Sequence, residues 1–173
     1  MKGLEDLIST YKDFPKKGIY FKDVLGIIQD PDIFRELILK MSSSEIVKKS
    51  EAIISIDSRG FIFGSAIAFH ASLPMITARK SGKLPGKIIE QKYNLEYGKD
   101  ALSIQEKALG RFSSYVIVDD LIATGGTVDC VSRMLVSRGK KISGLLAVCE
   151  ISSLKGRLRF DFPVETIISF WKT

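Results

Sequence analysis

An α/β fold, with a mostly parallel sheet flanked by helices, is the architecture this sequence predicts, and three observations carry it. Short apolar runs rich in β-branched residues recur at 52–56, 74–78, 116–118 and 142–148, each suited to a buried strand. Helical patterns stand between several of them, and strands alternating with helices build parallel units. Two of the runs end alike, in a carboxylate followed by a loop that opens a helix: Asp57-Ser58-Arg59-Gly60 and Asp119-Asp120 to Thr124-Gly125-Gly126-Thr127. The carboxyl edge of such a sheet is where open α/β folds bind ligands.

Composition bounds the rest. The chain has 173 residues, 45% hydrophobic and 27% charged, which fits one globular domain over 1–173. Met1 to Lys12 lack the apolar segment of a signal peptide, and no run reaches the length of a membrane span. A cytoplasmic protein without membrane contact is expected. Cys130 and Cys149 have no CxxC spacing, so two reduced, buried thiols are expected rather than a disulfide or metal site. The net charge of 26 − 20 = +6 suits nucleic acid, a membrane surface or a polyanionic small molecule, and does not choose among them.

Leu4, Leu7, Ile8 and Tyr11 recur at helical spacing, which predicts an N-terminal amphipathic helix. Pro15 and Gly18 make the following segment a loop that leads into the aromatics Tyr20 and Phe21. Asp30-Pro31 is a helix start, with Asp as N-cap and Pro in the first turn; Ile33, Phe34, Leu37, Ile38 and Met41 face inward. A further helical turn is expected around Ile46 and Val47. The strand over Ala52–Ile56 is followed by a helix over Ile62–Ala71. An Arg in the short loop between them, Arg59, can grip a phosphate with helix N–H groups behind it. His70, the one histidine of the chain, falls near that helix's end and reads as a packing or capping residue.

The strand over 74–78 delivers Arg79 and Lys80 into Arg79-Lys80-Ser81-Gly82-Lys83-Leu84-Pro85-Gly86, a flexible basic loop. Cations at a sheet's carboxyl edge favour pyrophosphate binding. A nucleic-acid contact is disfavoured, since no exposed aromatics interleave with the charges. Residues 88–95 and 101–105 read as a hairpin around Glu96. Val116-Ile117-Val118 runs into Asp119 and Asp120, then into Thr124-Gly125-Gly126-Thr127 at the head of a helix lined by Val128, Val131, Met134 and Leu135. Glycines and threonines at a helix N-terminus offer open N–H groups, hydroxyls and a favourable dipole to a phosphate. Carboxylates just before them repel phosphate and suit ribose hydroxyls or a metal's water shell. The composite is a sugar-phosphate site, and neither GxxxxGK(S/T) nor GxGxxG occurs as a competitor. A strand over 142–148, a short helix near Ser152–Arg157 and a last strand within 163–170 close the chain.

VIVDDLIATGGT resembles the 5-phosphoribosyl-1-pyrophosphate (PRPP) signature of the type I phosphoribosyltransferases. The stretch from Phe14 to Asp23 resembles FPxxGIxFxD of the adenine-transferring branch, and DSRGF, RKSGKLPG, LEYG and SSLKGR resemble further segments of it. The resemblance runs from about Asp13 to Arg157. It implies Mg²⁺-dependent transfer of the phosphoribosyl group from PRPP to N9 of adenine, a purine-salvage reaction yielding AMP and pyrophosphate. Phe21 would stack on adenine, Tyr20 would supply main-chain contacts, and Lys22 stands in the same segment where the family commonly has Arg. Arg59, Arg79, Lys80 and Lys83 would bind pyrophosphate. Asp119 and Asp120 would hold the ribose, and Ala123, Thr124, Gly125, Gly126 and Thr127 the 5′-phosphate. Glu96 would be the catalytic carboxylate, as a proton acceptor or as an orienter of the base. Mg²⁺ would be held by PRPP and water near Asp119, without a direct protein ligand. The family also implies a hood at about 12–27, a flexible lid at about 80–104 and a homodimer. A different base, or a non-catalytic PRPP-binding regulator of nucleic acid, are the alternatives; Glu96 and the complete basic loop argue against the second.

Overall fold

The computed structural model describes residues 3–95 and 98–171. In chain order its elements are β1 (Ser9–Lys12), β2 (Tyr20–Asp23), α1 (Pro31–Ser42), α2 (Glu45–Lys48), β3 (Ala52–Ile56), α3 (Gly60–Ala71), β4 (Met75–Lys80), β5 (Ile88–Leu95) and β6 (Gly98–Gln105). There follow α4 (Glu106–Gly110), β7 (Ser114–Ile122), α5 (Gly126–Val136), β8 (Lys141–Ile151) and β9 (Val164–Phe170). A seven-stranded sheet has the order β5-β6-β4-β3-β7-β8-β9. From β4 to β9 the neighbours are parallel, and the β5–β6 hairpin joins antiparallel along β4. The expected α/β architecture is present.

The alternation of strand side chains divides the core. Val116 and Val118 of β7 face one way, into a cluster with Leu37 and Met41 of α1 and Phe63 and Ile67 of α3. Tyr115 and Ile117 face the other, into a cluster with Val131 and Leu135 of α5 and with Leu102 and Ile104 of β6. Both faces of the sheet are thus covered, as a parallel sheet requires. Gly64 lets α3 lie close on β3: a Cβ there would come 2.4 Å from Ser55 Oγ. Asp30 caps α1 as expected, its Oδ1 accepting from the Asp32 and Ile33 amides at 3.1 and 3.0 Å.

The expected N-terminal helix does not form. Glu5–Leu7 make a single 3-10 turn, and Ser9–Lys12 is a strand paired with Tyr20–Asp23. Leu4 and Ile8 are buried, but Tyr11 is 53% exposed. So short a helix is marginal alone, and β-forming Ser9-Thr10-Tyr11 gain a ladder partner in β2. The strands Ile88–Leu95 and Gly98–Gln105 pair antiparallel, and part of them joins the core: Ile89, Tyr93, Ala101, Leu102 and Ile104 are buried. The short α4, which no local sequence pattern announces, is tied to β7 where the Tyr115 hydroxyl donates to Leu109 O at 2.7 Å. Among the described residues no helix is long and apolar enough to cross a membrane.

Candidate active site

A cleft of about 620 Å³ opens at the carboxyl edge of the sheet, between β2 and the loops after β3 and β7. Tyr20, Phe21 and Lys22 line it from β2, Asp57, Ser58 and Arg59 from the loop after β3, and Asp119 to Val128 from the end of β7 and the start of α5. Lys80, Tyr93 and Asp100 close one side; Ile151 and Leu154 lie at another.

The turn into α5 is shaped by main chain. Gly125 occupies the N-cap position with φ of +79°, a left-handed conformation that strains any residue with a Cβ. Ala123, Thr124, Gly125, Gly126 and Thr127 all line the cleft at the helix N-terminus. There the unpaired amides and the dipole favour an anion.

Just upstream, Asp119 and Asp120 are 8% and 6% exposed. Asp119 Oδ1 accepts from the Asp120 amide at 2.9 Å, and Arg59 Nη2 lies 2.8 Å from Asp120 Oδ2. That approach is off the N–H axis, so it is an ion pair without an aligned hydrogen bond, and Oδ2 keeps capacity to accept one. Burial pushes the Asp119 carboxyl well up, reinforced by the neighbouring Asp120 charge. Burial also raises Asp120, against the opposing pull of Arg59. A raised folded-state pKa stabilises the fold fully below the unfolded value, about 3.9 for Asp, and that contribution is lost as pH rises through the folded value. The Asp119→Asn variant should therefore show a flatter decline of Tm with rising pH than the wild type; parallel pH–Tm curves would sink this account.

Arg59 joins three parts of the site. Its guanidinium lies 4.7 Å above the Phe21 ring centroid, pairs with Asp120, and donates to Lys22 O at 3.4 Å. Phe14 meets Phe21 edge-on at 5.1 Å. Lys22 contributes its carbonyl on this side. Its ammonium donates to Thr10 Oγ1 at 2.8 Å and lies 4.4 Å from the Phe170 ring centroid. With the charged end engaged elsewhere, Lys22→Arg should change the adenine KM by less than about twofold, although the two cations differ as ligands. A larger shift in steady-state assays would place the ammonium's influence inside the cleft.

The basic loop divides. Lys80 lines the cleft and lies 3.5 Å from Asp100, while Arg79 and Lys83 lie outside the lining. Arg79 Nε donates to Asp57 Oδ2 at 3.2 Å, and its guanidinium is 5.8 Å from the Phe61 ring centroid. Lys83 is exposed. Glu96 lies outside the described residues. Tyr93 and Asp100, directly opposite one another on the paired strands, also line the cleft, although no sequence motif assigns them a role. Their signal was the alternation of the hairpin strands, which sends such a pair to one face. Asp57 was visible in DSRGF but unassigned; it anchors Arg79 and accepts from the Lys80 amide at 3.4 Å.

Among the described residues no group of three or more His, Cys, Asp or Glu side chains converges as a metal cage. An acidic pair with one oxygen still able to accept suits Mg²⁺ together with water and a ligand's own phosphate oxygens.

An anion seat at a helix N-terminus, two buried acids beside it and cations across the cleft define a sugar-phosphate-binding α/β protein. Comparison with known proteins sharpens that class. The family profile for the phosphoribosyl transferase domain matches residues 27–171. Adenine phosphoribosyltransferase of Prochlorococcus marinus (strain MIT 9515) is 65% identical over 167 residues, covering 96% of this chain and 98% of that protein. The crystal structure of adenine phosphoribosyltransferase from Thermoanaerobacter pseudethanolicus is similar with a TM-score of 0.90 at 34% identity, covering 96% of this chain and 98% of that one. That of the Saccharomyces cerevisiae enzyme, complexed with an imino-altritol bisphosphate and adenine, has a TM-score of 0.85 at 33% identity, covering 95% and 96%. The chain belongs to the adenine phosphoribosyltransferase family.

Proposed function

We propose that this chain is a purine-salvage enzyme that transfers the 5-phosphoribosyl group from PRPP to N9 of adenine, yielding AMP and pyrophosphate. The observation that carries the reading is the gathering of Tyr20–Lys22, Arg59, Lys80 and Asp119–Thr127 around one cleft. The amides and hydroxyls of Ala123 to Thr127 take the 5′-phosphate. Asp119 and Asp120 hold the ribose hydroxyls, and the negative charge that Arg59 helps Asp120 to keep favours the oxocarbenium character that develops as the C1–oxygen bond to pyrophosphate breaks. Arg59 and Lys80, with Arg79 and Lys83 brought in from the basic loop, stabilise the leaving pyrophosphate. Mg²⁺ would be held by PRPP and water near Asp119 and would supply further neutralisation of pyrophosphate charge. Adenine stacks on Phe21, with main-chain contacts from Tyr20 and Lys22, and its N9 lone pair forms the new bond to C1.

The N9 proton passes to Glu96, or is lost to the departing pyrophosphate while Glu96 orients the base. Glu96→Gln should lower kcat by about 10²- to 10⁴-fold while the PRPP KM stays near the wild-type value; unchanged turnover would remove Glu96 from the chemistry. The 12–27 segment serves as hood and 80–104 as lid, which excludes water from the reacting centre. A cytoplasmic homodimer without nucleic-acid or membrane partners completes the reading, a closed pair being the commonest assembly. The deciding assay offers labelled adenine, hypoxanthine, guanine, xanthine and uracil side by side with PRPP and Mg²⁺. Adenine alone should be converted efficiently; equal use of another base would overturn the assignment.

A further inference from the structure

Beside the phosphate seat, outside the cleft lining, lies an ion pair that the reaction does not use. Glu150, near the end of β8, has a side chain only 3% exposed. Arg157 Nε donates to both of its carboxylate oxygens at 2.8 Å, and Nη2 adds a contact to Oε2 and reaches Thr166 Oγ1 at 3.4 Å. Neither residue lines the cleft. Glu150 stands beside Ile122 in the parallel register, one residue before the seat begins.

The neighbour of Arg157 touches the seat itself. A Cβ on Gly156 would come 2.2 Å from Ala123 O and 3.0 Å from Gly125 N. From the other side, a Cβ on Gly125 would come 2.9 Å from Gly156 O. Two main-chain segments are therefore in van der Waals contact with no side chain between them. The short turn at Gly156–Arg159 has little secondary structure of its own to hold it there. A buried carboxylate gripped by a planar guanidinium is a directional anchor, which a point charge does not reproduce.

We propose that Glu150 and Arg157 are positioning residues for the phosphate seat: the pair clamps Gly156 against Ala123 and Gly125, and so fixes the amides that receive the 5′-phosphate. The inference rests on the phosphoribosyl reading of that seat. Removing the clamp should loosen the phosphate end of the site and leave the base end intact.

The test compares wild type, Arg157→Met, Arg157→Lys and the double variant Glu150→Gln with Arg157→Met. Steady-state kinetics are measured with PRPP and adenine, and calorimetric binding with AMP and with adenosine. Arg157→Met should raise the PRPP KM and weaken AMP about tenfold or more, since small misplacements of binding groups carry large penalties. Adenosine affinity and the adenine KM should stay within about threefold, the mark of a lost phosphate contact. Arg157→Lys should recover part of the loss. The double variant leaves no unpaired buried charge, so its Tm should recover while its PRPP KM does not. Folded variants with wild-type PRPP KM and AMP affinity, whatever their Tm, overturn the proposal, as does equal weakening of AMP and adenosine. A wild-type chain that binds neither PRPP nor AMP fails the phosphoribosyl reading itself, and the inference with it.

Discussion

Replacing Arg59 by methionine should lower kcat/KM for PRPP by about 10²- to 10³-fold, the scale of losing one preorganised donor to developing charge. Arg59 is the cation that already touches both halves of the cleft: its guanidinium pairs with Asp120 and lies over Phe21. Methionine keeps much of the bulk against the ring and removes the charge. The cost in stability should be modest near pH 5 and should grow as pH rises. Without Arg59 the largest pull against burial is gone and only the hydrogen bonds from Asp119 and the Asp120 and Leu121 amides still hold the Asp120 pKa down, so the carboxyl stays protonated to a higher pH, and the penalty appears once it must ionise. Kinetics with PRPP and melting curves between about pH 5 and pH 8 read the two effects separately. A variant with wild-type kcat/KM would remove Arg59 from pyrophosphate binding. A pH-independent Tm difference would mean that the Asp120 contact carries no linkage.

Gly125→Ala should have an effect of similar size, by a different route. The position has φ of +79°, and the added Cβ would meet Gly156 O at 2.9 Å. The backbone conformation alone costs on the order of 1–3 kcal/mol in a residue with a Cβ. The obstructing atom is main chain, which cannot swing aside as a flexible side chain would. Relief must come from the seat, by turning the Gly125–Gly126 amides away from the phosphate. The PRPP KM should rise about 10²-fold, with a smaller change in the adenine KM. Gly139→Ala is the matched control: its φ is also positive, at +66°, but nothing lies within 4 Å of the added Cβ. It should lose stability without loss of PRPP affinity. Equal kinetics for the two variants would show that the contact with Gly156 does not shape the seat.

Much of this architecture was legible in the sequence, because the elements that matter are locally encoded. Asp30-Pro31 announces α1 through capping chemistry that needs no tertiary partner, and the β-branched apolar run before Asp119 suits the buried strand it forms. The N-terminus misled for the opposite reason. Leu4, Leu7 and Ile8 keep helical spacing, but Tyr20–Asp23 offer a strand partner, and no local pattern reports a ladder made with residues so far along the chain. Tyr93 and Asp100 escaped notice similarly, since a tyrosine and an aspartate in a hairpin are ordinary until the cleft is seen to include them.

The site divides along the same line. Residue types and their order already set open amides at a helix N-terminus over Ala123–Thr127 with two acids before it, because these features lie within a single loop. The tertiary structure alone decided how the other segments meet that loop. Lys22 turns its ammonium to Thr10 and Phe170, Arg79 is held by Asp57, and Glu150 grips Arg157 beside the turn. Each of these depends on which segments the fold brings side by side, not on a repeating pattern along the chain. Periodicity and propensity describe a chain's own neighbours; the partners of a long, charged side chain are set by whatever the fold brings within reach.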